Sequence, residues 1–460
     1  VRGRIETDGR RYRRNMTMKI YMETLGCPKN FNDTQTAKGI MTKAGFEVTE
    51  NADLADVIIV NTCGFINDAK KESISRIFEL SEYKRDGKKL LVCGCLSERY
   101  SEELFEEMPE VDGFLGVNEY ERLPEILSSI ELSKDADSPA RYNWVCGQAP
   151  DTLKTLPRLL NEESYTATLK ISEGCNNRCA YCVIPSIRGP FRSKPKEEVI
   201  REAKWLSDNG CRELILIAQD VTLYGTDLYG RLALPELLRE LCRIDKIEWI
   251  RLMYCYEDRI TDELIEVIRT ESKICNYIDI PIQHASDRVL KAMRRRSTGE
   301  SIKNTIKRLK EAIPDIHIRT TLITGFPGES EEDFDILLDF VEEMKFARLG
   351  VFAYSQEENT PAGEMKDQIP DEIKQQRLDT IMRRQLDISL EMNREKIGKI
   401  LEVLVEERDE DGSYVGRTRY DAPEIDNSVI FTSDRDLSPG NIVKVLIQDA
   451  FDYDLTGMEV

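Results

Sequence analysis

Three cysteines within one short segment form the strongest chemical signal in the sequence. Cys175, Cys179 and Cys182 lie in "SEGCNNRCAYC" with the spacing C-x3-C-x2-C. Three thiolates on one tight loop suit an iron–sulfur cluster, whereas a closed structural zinc site needs a fourth protein ligand. With three protein ligands, one iron of the cluster stays open for a substrate or cofactor. A zinc site or a chance spacing is the alternative.

A second set of cysteines is spread along the first part of the chain. Cys27, Cys63 and Cys95 each follow the end of a strand-like pattern. Because the carboxyl ends of parallel strands face one crevice, these three thiols are predicted to converge there as metal ligands. The alternative is that they are small, buried core residues. Cys93 is predicted to lie inside the strand, in the core, although whether it can replace Cys95 as a ligand stays open.

The amino-acid composition limits the kinds of metal site and partner that the chain can have. The chain has 460 residues with twelve Cys and only two His, His284 and His317, so a His-rich zinc or haem site is not expected. No export signal or apolar run of roughly 20 residues is visible, which predicts a cytoplasmic, reducing environment with little use for disulfides. The net charge of −20 argues against a generic nucleic-acid or membrane binder and favours basic partners, although a local basic groove stays compatible with it.

The elements that position the cysteines predict an α/β fold in several parts. Residues 1–17 are expected to be a basic arm or tag. From 18 to 147, strand and helix patterns alternate, with a first helix over about 33–44, which predicts a doubly wound α/β domain. Residues 148–164 are expected to form a linker.

The central part, 165–392, carries six strand patterns separated mostly by helical stretches. This arrangement predicts a parallel (β/α)6 barrel or partial barrel, with the Cys175 loop after the first strand, at the face where barrels bind substrates. A long helix over 370–396 leads out, and residues 393–460, with short strands and Gly, Asp and Asn turns, predict a small β-barrel. The six strands are predicted at 166–172, 213–220, 248–255, 277–283, 317–325 and 348–354.

The C-x3-C-x2-C motif with an aromatic residue before its third Cys resembles the signature of radical S-adenosylmethionine (SAM) enzymes. The resemblance implies a 4Fe-4S cluster on Cys175, Cys179 and Cys182 that chelates SAM through its open iron. Tyr181 matches the aromatic residue near the adenine, and Gly325 in "LITGFPGES" matches a glycine near the adenosyl group. Two further segments, "AQDVTLYG" and "PIQHAS", also resemble the superfamily. Three polar residues at or near strand ends are predicted to line the SAM pocket as well: Gln219, Gln283 and Arg319. Capping of strand ends is the alternative role for them.

The order of the parts resembles the methylthiotransferases over nearly the whole chain. That family combines an N-terminal domain with three Cys, a radical SAM barrel and a C-terminal TRAM domain. The resemblance implies a second, auxiliary 4Fe-4S cluster on Cys27 in "LGCPKN", Cys63 in "NTCGFI" and Cys95 in "CGCLSERY". It also implies two roles for SAM, as radical source and as methyl donor. The two Cys triads are then expected to lie on facing surfaces.

The resemblance also separates two branches of the family. One modifies an adenine-derived base of tRNA, and the other modifies the β-carbon of an aspartate in a small-subunit ribosomal protein (S twelve). "GCPKN" resembles the ribosomal branch, as do "VGRTRYDAPEID" and "FDYDLTG", whereas the tRNA branch typically has Gly-Cys-Gln-Met-Asn. Residues 393–460 hold eight Lys and Arg against sixteen Asp and Glu, a charge that suits a basic protein better than RNA.

The resemblance implies radical chemistry, and no acid–base catalytic residue is expected, since an unactivated C–H bond has no useful acidity. An electron donor such as a flavodoxin or ferredoxin is expected as a second partner. The alternatives are the tRNA-modifying enzyme, an iron–sulfur electron carrier or sensor without catalysis, and a zinc-binding scaffold. Lys29 and Asn30 in "GCPKN" suggest no physical role from the sequence.

Overall fold

The structure is a computed structural model that describes residues 17–84, 87–132, 141–147, 149–150, 152–160 and 164–460. The predicted arm at 1–17 lies almost wholly outside the described residues, as does part of the predicted linker. No described helix has the length and apolar character needed to cross a membrane. The chain divides into two compact units, one running to Ala149 and including Leu156–Leu159, and the other formed by Pro150–Thr155 and Leu160–Val460.

The first unit is built on a six-stranded parallel sheet in the order β2-β1-β3-β4-β5-β6. Its first five strands follow the order of flavodoxin-like sheets, in which ligands bind where the strand order reverses, between β1 and β3. The predicted doubly wound α/β fold is confirmed. The elements are β1 (Lys19–Thr24), α1 (Pro28–Lys43), β2 (Glu47–Val48), β3 (Val57–Thr62), α2 (Asn67–Ser81), β4 (Lys89–Gly94), α3 (Cys95–Glu107), β5 (Gly113–Phe114), α4 (Leu123–Leu132) and β6 (Tyr142–Asn143), with short 3-10 helices at Ala52–Leu54 and Tyr120–Arg122.

Strand β3 is buried along its whole length, as expected for a central parallel strand covered on both faces. The first helix differs from the prediction, because α1 begins at Pro28 and not near Asp33. Proline suits the first helical turn, since its φ is preset and its missing N–H has no intrahelical partner there. Cys27 is therefore the residue that immediately precedes the helix.

The second unit contains a six-stranded parallel sheet in the order β14-β13-β12-β11-β10-β7. The two outer strands do not pair with each other, so the sheet is a partial barrel, as predicted. Its strands are β7 (Thr166–Lys170), β10 (Glu213–Ile217), β11 (Trp249–Leu252), β12 (Ile274–Asp279), β13 (His317–Thr324) and β14 (Arg348–Ala353). A small antiparallel pair, β8 (Ser172–Glu173) and β9 (Arg192–Ser193), flanks the cysteine loop.

Among the described residues, nine helices accompany this sheet, and the largest hydrophobic core found there lies between them and the strands. The fourth strand was predicted at 277–283, but β12 occupies Ile274–Asp279. Pro281 has no N–H to donate to a neighbouring strand, which favours an earlier end. The helices are α5 (Ile184–Arg188), α6 (Lys196–Asp208), α7 (Thr226–Tyr229), α8 (Leu234–Cys242), α9 (Asp262–Thr270), α10 (Asp287–Ala292), α11 (Gly299–Ala312), α12 (Glu331–Met344) and α13 (Asp371–Arg394), with 3-10 helices at Val221–Leu223 and Glu257–Arg259.

The C-terminal strands form a closed five-stranded barrel in the order β15-β16-β17-β19-β18, as the sequence predicts. This small barrel packs against the starts of the sheet strands: Arg348 pairs with Asp421, and His317 stacks on Tyr420. The cysteine loop follows the end of β7, so it lies at the opposite end of the strands. The barrel strands are β15 (Ile400–Arg408), β16 (Tyr414–Thr418), β17 (Val429–Thr432), β18 (Ile442–Ala450) and β19 (Leu455–Glu459).

Candidate functional site

The loop that carries Cys175, Cys179 and Cys182 is fixed by hydrogen bonds at both ends. The Cys175 N–H donates to Gly189 O at 3.1 Å, and the Ala180 N–H donates to Met293 O at 2.9 Å. The Asn176 side chain accepts a hydrogen bond from the Phe191 N–H at 3.0 Å. The thiols are therefore held by a loop with a defined backbone, which lowers the entropy cost of ordering ligands around a metal group.

These three thiols lie close enough to influence one another. Burial raises the pKa of Cys175 to about 11, and nearby charges including Cys179 add to this effect. Burial raises the pKa of Cys182 to about 12, with Cys179 as the next cause. Because thiolates are the metal-binding form, loading iron must displace these protons, and such a site binds its metal in a pH-dependent way.

A partly buried polar network contacts the loop, and the sequence alone did not identify it. Asn177 donates to Asp220 Oδ2 at 2.9 Å and accepts from Arg259 at 3.1 Å, while Arg259 pairs with Asp220 at 2.5 Å. Tyr256 Oη lies 3.5 Å from Cys179 Sγ. The only hint in the sequence was the position of these residues shortly after strand patterns.

Tyr181 belongs to the same loop, and Gln219 lies beside it. Tyr181 is half-buried, and its hydroxyl accepts a hydrogen bond from Arg295 at 3.5 Å. Gln219 donates through Nε2 to Glu173 Oε1 at 2.7 Å, and Glu173 is itself paired with Lys170. Gln219 Oε1 is buried without a hydrogen-bond partner among the described residues. An unused buried acceptor fits a site whose ligand brings N–H or O–H donors.

The other residues predicted near SAM lie at or near the ends of β12 and β13. Gln283 has a φ of 71°. Its N–H donates to Thr321 O and its carbonyl accepts from the Ile323 N–H, so the Gln283 backbone is held beside β13. Gly325 has a φ of 70°, and the aliphatic part of Lys374 occupies the space that a Cβ would take. Glycine is therefore required at 325 for packing, whether or not a nucleoside lies nearby.

Arg319 lies deeper in the partial barrel than the other predicted SAM contacts. Its guanidinium is 3.1 Å from Asp279 and 3.5 Å from Asp426 of the C-terminal barrel. These two ion pairs give Arg319 a structural function in joining the two barrels. Its predicted contact with SAM stays a prediction.

In the first unit, Cys27, Cys63 and Cys95 follow the neighbouring strands β1, β3 and β4. Cys27 precedes α1, and Cys95 is the first residue of α3, so both lie at helix N-termini, which favour negatively charged groups. Cys63 packs on Gly26, where an added Cβ would lie 3.1 Å from the Cys63 sulfur. Cys93, by contrast, is buried inside β4 in the core, as predicted.

Asn30 connects the segments that carry these three cysteines. Its side-chain amide donates to Leu25 O at 2.8 Å and to Thr62 O at 3.1 Å, beside Cys27 and Cys63. Its Oδ1 accepts from Cys95 Sγ at 3.8 Å. The side chain is fully buried. The sequence suggested no role for Asn30, because its partners are distant along the chain.

The all-thiol donor sets of the two triads suit iron–sulfur clusters. None of the cysteines that the structure describes forms a disulfide bond. Within the residues that the structure describes, no three His, Cys, Asp or Glu side chains form a group that could hold one metal ion. Each protein thiolate of a four-iron cluster binds a different iron, so its ligands stand further apart than the donors around one zinc ion.

Comparisons with known families match the parts of the chain. Residues 19–116 match "Uncharacterized protein family UPF0004", residues 169–341 match the Radical SAM superfamily, and residues 397–460 match the TRAM domain. These three segments cover both cysteine triads and the C-terminal barrel.

Curated relatives match over almost the full length. "Ribosomal protein uS12 methylthiotransferase RimO" of Lachnoclostridium phytofermentans is 48% identical over 443 residues, which cover 96% of this chain and 99% of the relative. The protein of the same name from Clostridioides difficile is 49% identical, with 96% and 98% covered. The one from Desulforamulus reducens is 50% identical, with 95% and 98% covered.

Among solved structures, a radical SAM methyltransferase, TsrM, from Kitasatospora setae with cobalamin and a [4Fe-4S] cluster bound has a similar fold. The TM-score is 0.55 at 14% identity, over 84% of this chain and 81% of that one. At this identity the likeness supports the fold alone.

Proposed function

The chain belongs to the RimO family of ribosomal protein uS12 methylthiotransferases, and from that membership we propose that it methylthiolates the β-carbon of an aspartate in uS12. It is a radical SAM enzyme with a TRAM domain. The observation that carries the proposal is a match of 48–50% identity that covers 95–96% of the chain and includes both cysteine triads.

Each triad holds one 4Fe-4S cluster in this proposal. Cys175, Cys179 and Cys182 bind the cluster that cleaves SAM, and Cys27, Cys63 and Cys95 bind the auxiliary cluster. When bound, the first cluster supplies an electron to SAM, and the second takes part in the transfer of sulfur. We assign the N-terminal domain to residues 18–147, the radical SAM domain to 165–392 and the TRAM domain to 393–460.

The residues around the first triad have binding roles, because no acid–base step is required. The buried Oε1 of Gln219 is available to accept a hydrogen bond from SAM. Glu173 orients the Gln219 amide by accepting a hydrogen bond from the Gln219 Nε2. Tyr181, Gln283 and Gly325 are proposed to contact the adenosyl part. The proposed partners are uS12, free or within the ribosomal subunit, and a one-electron donor protein.

The proposal is tested with anaerobically reconstituted protein, dithionite, SAM and a peptide of the target loop. Cys175→Ala is expected to abolish both 5′-deoxyadenosine formation and methylthiolation, whereas Cys27→Ala retains the former and loses the latter. Mass spectrometry of the nucleoside and the peptide measures both products. Cys93→Ala is the matched control and is expected to retain both reactions, since its thiol lies in the core.

Two results would contradict this assignment. Wild-type protein that forms no 5′-deoxyadenosine would favour a non-catalytic iron–sulfur protein. An unmodified peptide together with a methylthiolated tRNA base would assign the chain to tRNA modification instead.

A further inference from the structure

A cavity of about 220 Å³ opens beside the radical SAM cysteine loop, and its wall includes four arginines. We call it the arginine cavity. Its lining includes Arg178, Arg294, Arg295, Arg296, Tyr256 and Cys179. None of the residues predicted to contact SAM lines this cavity. The cavity borders the proposed cluster site through Cys179, but its arginines have no function in the proposal above.

Three of these arginines are exposed and form no ion pair with another described residue. Within the described part of the chain, the side chains of Arg178, Arg294 and Arg296 form no ion pair, and all three are exposed. Many exposed arginines elsewhere are paired, as Arg212 is with Glu248. In a chain of net charge −20, three unpaired arginines around one cavity form a local positive surface.

The backbone gathers these charges on one rim. Arg294 has a φ of 58°, a left-handed conformation that residues other than glycine rarely adopt. The turn leaves Arg294 and Arg296 exposed, while Arg295 between them is buried and pairs with Glu257 at 2.7 Å. The buried ion pair of Arg295 with Glu257 fixes the turn to the protein interior, which limits the movement of the two exposed arginines.

The floor of the cavity contacts the thiol loop directly. Cys179 is part of the lining, and Tyr256 Oη lies 3.5 Å from its sulfur. The Arg295 guanidinium lies over the Tyr256 ring at 4.7 Å and donates to the Tyr181 hydroxyl. A molecule seated on the rim would thus be separated from a cluster ligand by little more than one side chain.

We propose that the arginine cavity is the docking surface for an acidic one-electron carrier protein. This inference rests on the proposed function, which requires one electron for each SAM cleaved. In the transfer, the reduced carrier is oxidised by one electron, and that electron is consumed in breaking one carbon–sulfur bond of SAM. The acidic chain as a whole repels an acidic carrier, so the local arginines select where it binds.

RNA suits this surface less well. Binding to nucleic acid is supported by many phosphate contacts on an extended positive surface. Here the positive area is small, and the carboxylates of Glu257 and Asp258 belong to the same cavity wall. A compact protein contact needs only a few complementary charges near the point of electron transfer.

The test measures the dissociation constant between a purified flavodoxin and the full chain with reconstituted clusters, by anaerobic isothermal titration calorimetry. Replacing Arg178, Arg294 and Arg296 by Gln is expected to raise that constant about tenfold. Wild-type affinity is expected to fall with added salt, because the rim charges are exposed. If the triple variant fails to load iron, the measurement is repeated with the double variant Arg294→Gln/Arg296→Gln. Both of its substitutions lie outside the cysteine loop, so iron loading is expected to be retained.

The matched control removes three exposed arginines near the other end of the sheet strands: Arg212→Gln, Arg243→Gln and Arg269→Gln. It is expected to bind flavodoxin with nearly wild-type affinity. If the cavity variant and the control variant lose flavodoxin affinity to the same extent, the loss reflects net charge alone and the proposal is overturned. Unchanged flavodoxin affinity in the cavity variant would overturn it too, and a selective loss of affinity for ribosomal subunits would assign the cavity to RNA.

Failure of the docking surface and failure of the proposed function give different results. Wild-type protein that cleaves SAM with dithionite, together with unaffected flavodoxin binding in the cavity variant, refutes the docking surface alone. Wild-type protein that binds flavodoxin through the arginines but forms no 5′-deoxyadenosine refutes the proposed function alone.

Discussion

Asn30 illustrates how one buried amide can order a set of thiols. Its side chain binds carbonyls that adjoin Cys27 and Cys63 and accepts from the Cys95 sulfur. The fully buried amide donors have few alternatives to these bonds. At the residue scale, we therefore assign Asn30 a positioning function for the auxiliary site.

The variant Asn30→Asp tests that function. A carboxylate has the same shape but cannot donate to the two carbonyls, and an unmet buried group costs about 1–3 kcal/mol. Its negative charge also opposes nearby thiolates. In a chain whose radical SAM cysteines are replaced by Ala, the variant is expected to retain less than about half of the iron, measured by iron analysis and visible absorption.

Asn51→Asp provides the control for Asn30→Asp. Asn51 is exposed and caps a short helix through its Oδ1, a role that Asp fills equally well. Normal iron content is expected there. Normal iron content in Asn30→Asp as well would contradict the positioning function.

At the scale of elements, a buried charge network joins the partial barrel to the TRAM barrel. Glu213 at the start of β10 pairs with Arg251 of β11 at 2.9 Å and with Arg417 of β16. Burial alone would raise the pKa of Glu213, but the two guanidinium groups outweigh it and hold the pKa at about 2. The carboxylate is therefore ionised, and its single negative charge offsets part of the positive charge of the two buried arginines.

Glu213→Gln is expected to lower the free energy of unfolding of the second unit by about 3–5 kcal/mol, because it leaves buried guanidinium charge uncompensated. Denaturant titration followed by circular dichroism measures the change. Glu248→Gln, which breaks an exposed pair with Arg212, is expected to change it by less than about 1 kcal/mol. Similar values for both variants would show that the network contributes little.

The ring of His317, stacked on Tyr420, gives the same interface a pH dependence. Burial chiefly, with Lys396 and Arg348 nearby, lowers the pKa of His317 to about 3 from its ordinary 6.5. The unfolded chain thus binds a proton that the folded chain does not, between these two values. Stability is complete above pH 6.5 and declines as the pH falls toward 3.

Between pH 6.5 and 5, His317 alone is expected to reduce the free energy of unfolding by about 2 kcal/mol. His317→Phe keeps an aromatic ring against Tyr420 and should remove that part of the decline. Denaturant titrations at the two pH values measure both proteins. An equal decline in the variant would assign the acid sensitivity to other groups.

At the scale of the whole molecule, the acidic residues of the TRAM barrel fall into two groups, those in ion pairs within their unit and those exposed to solvent. Asp421, Asp426 and Glu406 pair with Arg348, Arg319 and Arg417 of their own unit, so these acids are used for assembly. Exposed acids remain to attract a basic partner over a distance. We expect that association of the chain with uS12 slows as salt rises, with the steepest change in the association rate measured by stopped flow. A salt-independent rate would contradict electrostatic attraction.

Much of the fold was predictable because its signals are local. The β-branched run of β3 and the alternation of strands with helices predicted both parallel sheets. Boundaries were less predictable: α1 begins at Pro28, and β12 starts and ends earlier than its pattern suggested. Both boundaries depend on backbone hydrogen bonding, which Pro28 and Pro281 limit, and not on the hydrophobic pattern from which the elements were predicted.

The sequence by itself determined the chemistry. The spacing of Cys175, Cys179 and Cys182 and the strand-end positions of the other triad are local facts, and they suffice to predict thiolate-held clusters. Only the tertiary structure decided which side chains meet them. Asn30, Tyr256 and the arginine cavity acquire their functions from contacts between segments far apart in the chain. Such contacts form only when burial of the hydrophobic cores brings the strand ends together, so no local pattern encodes them.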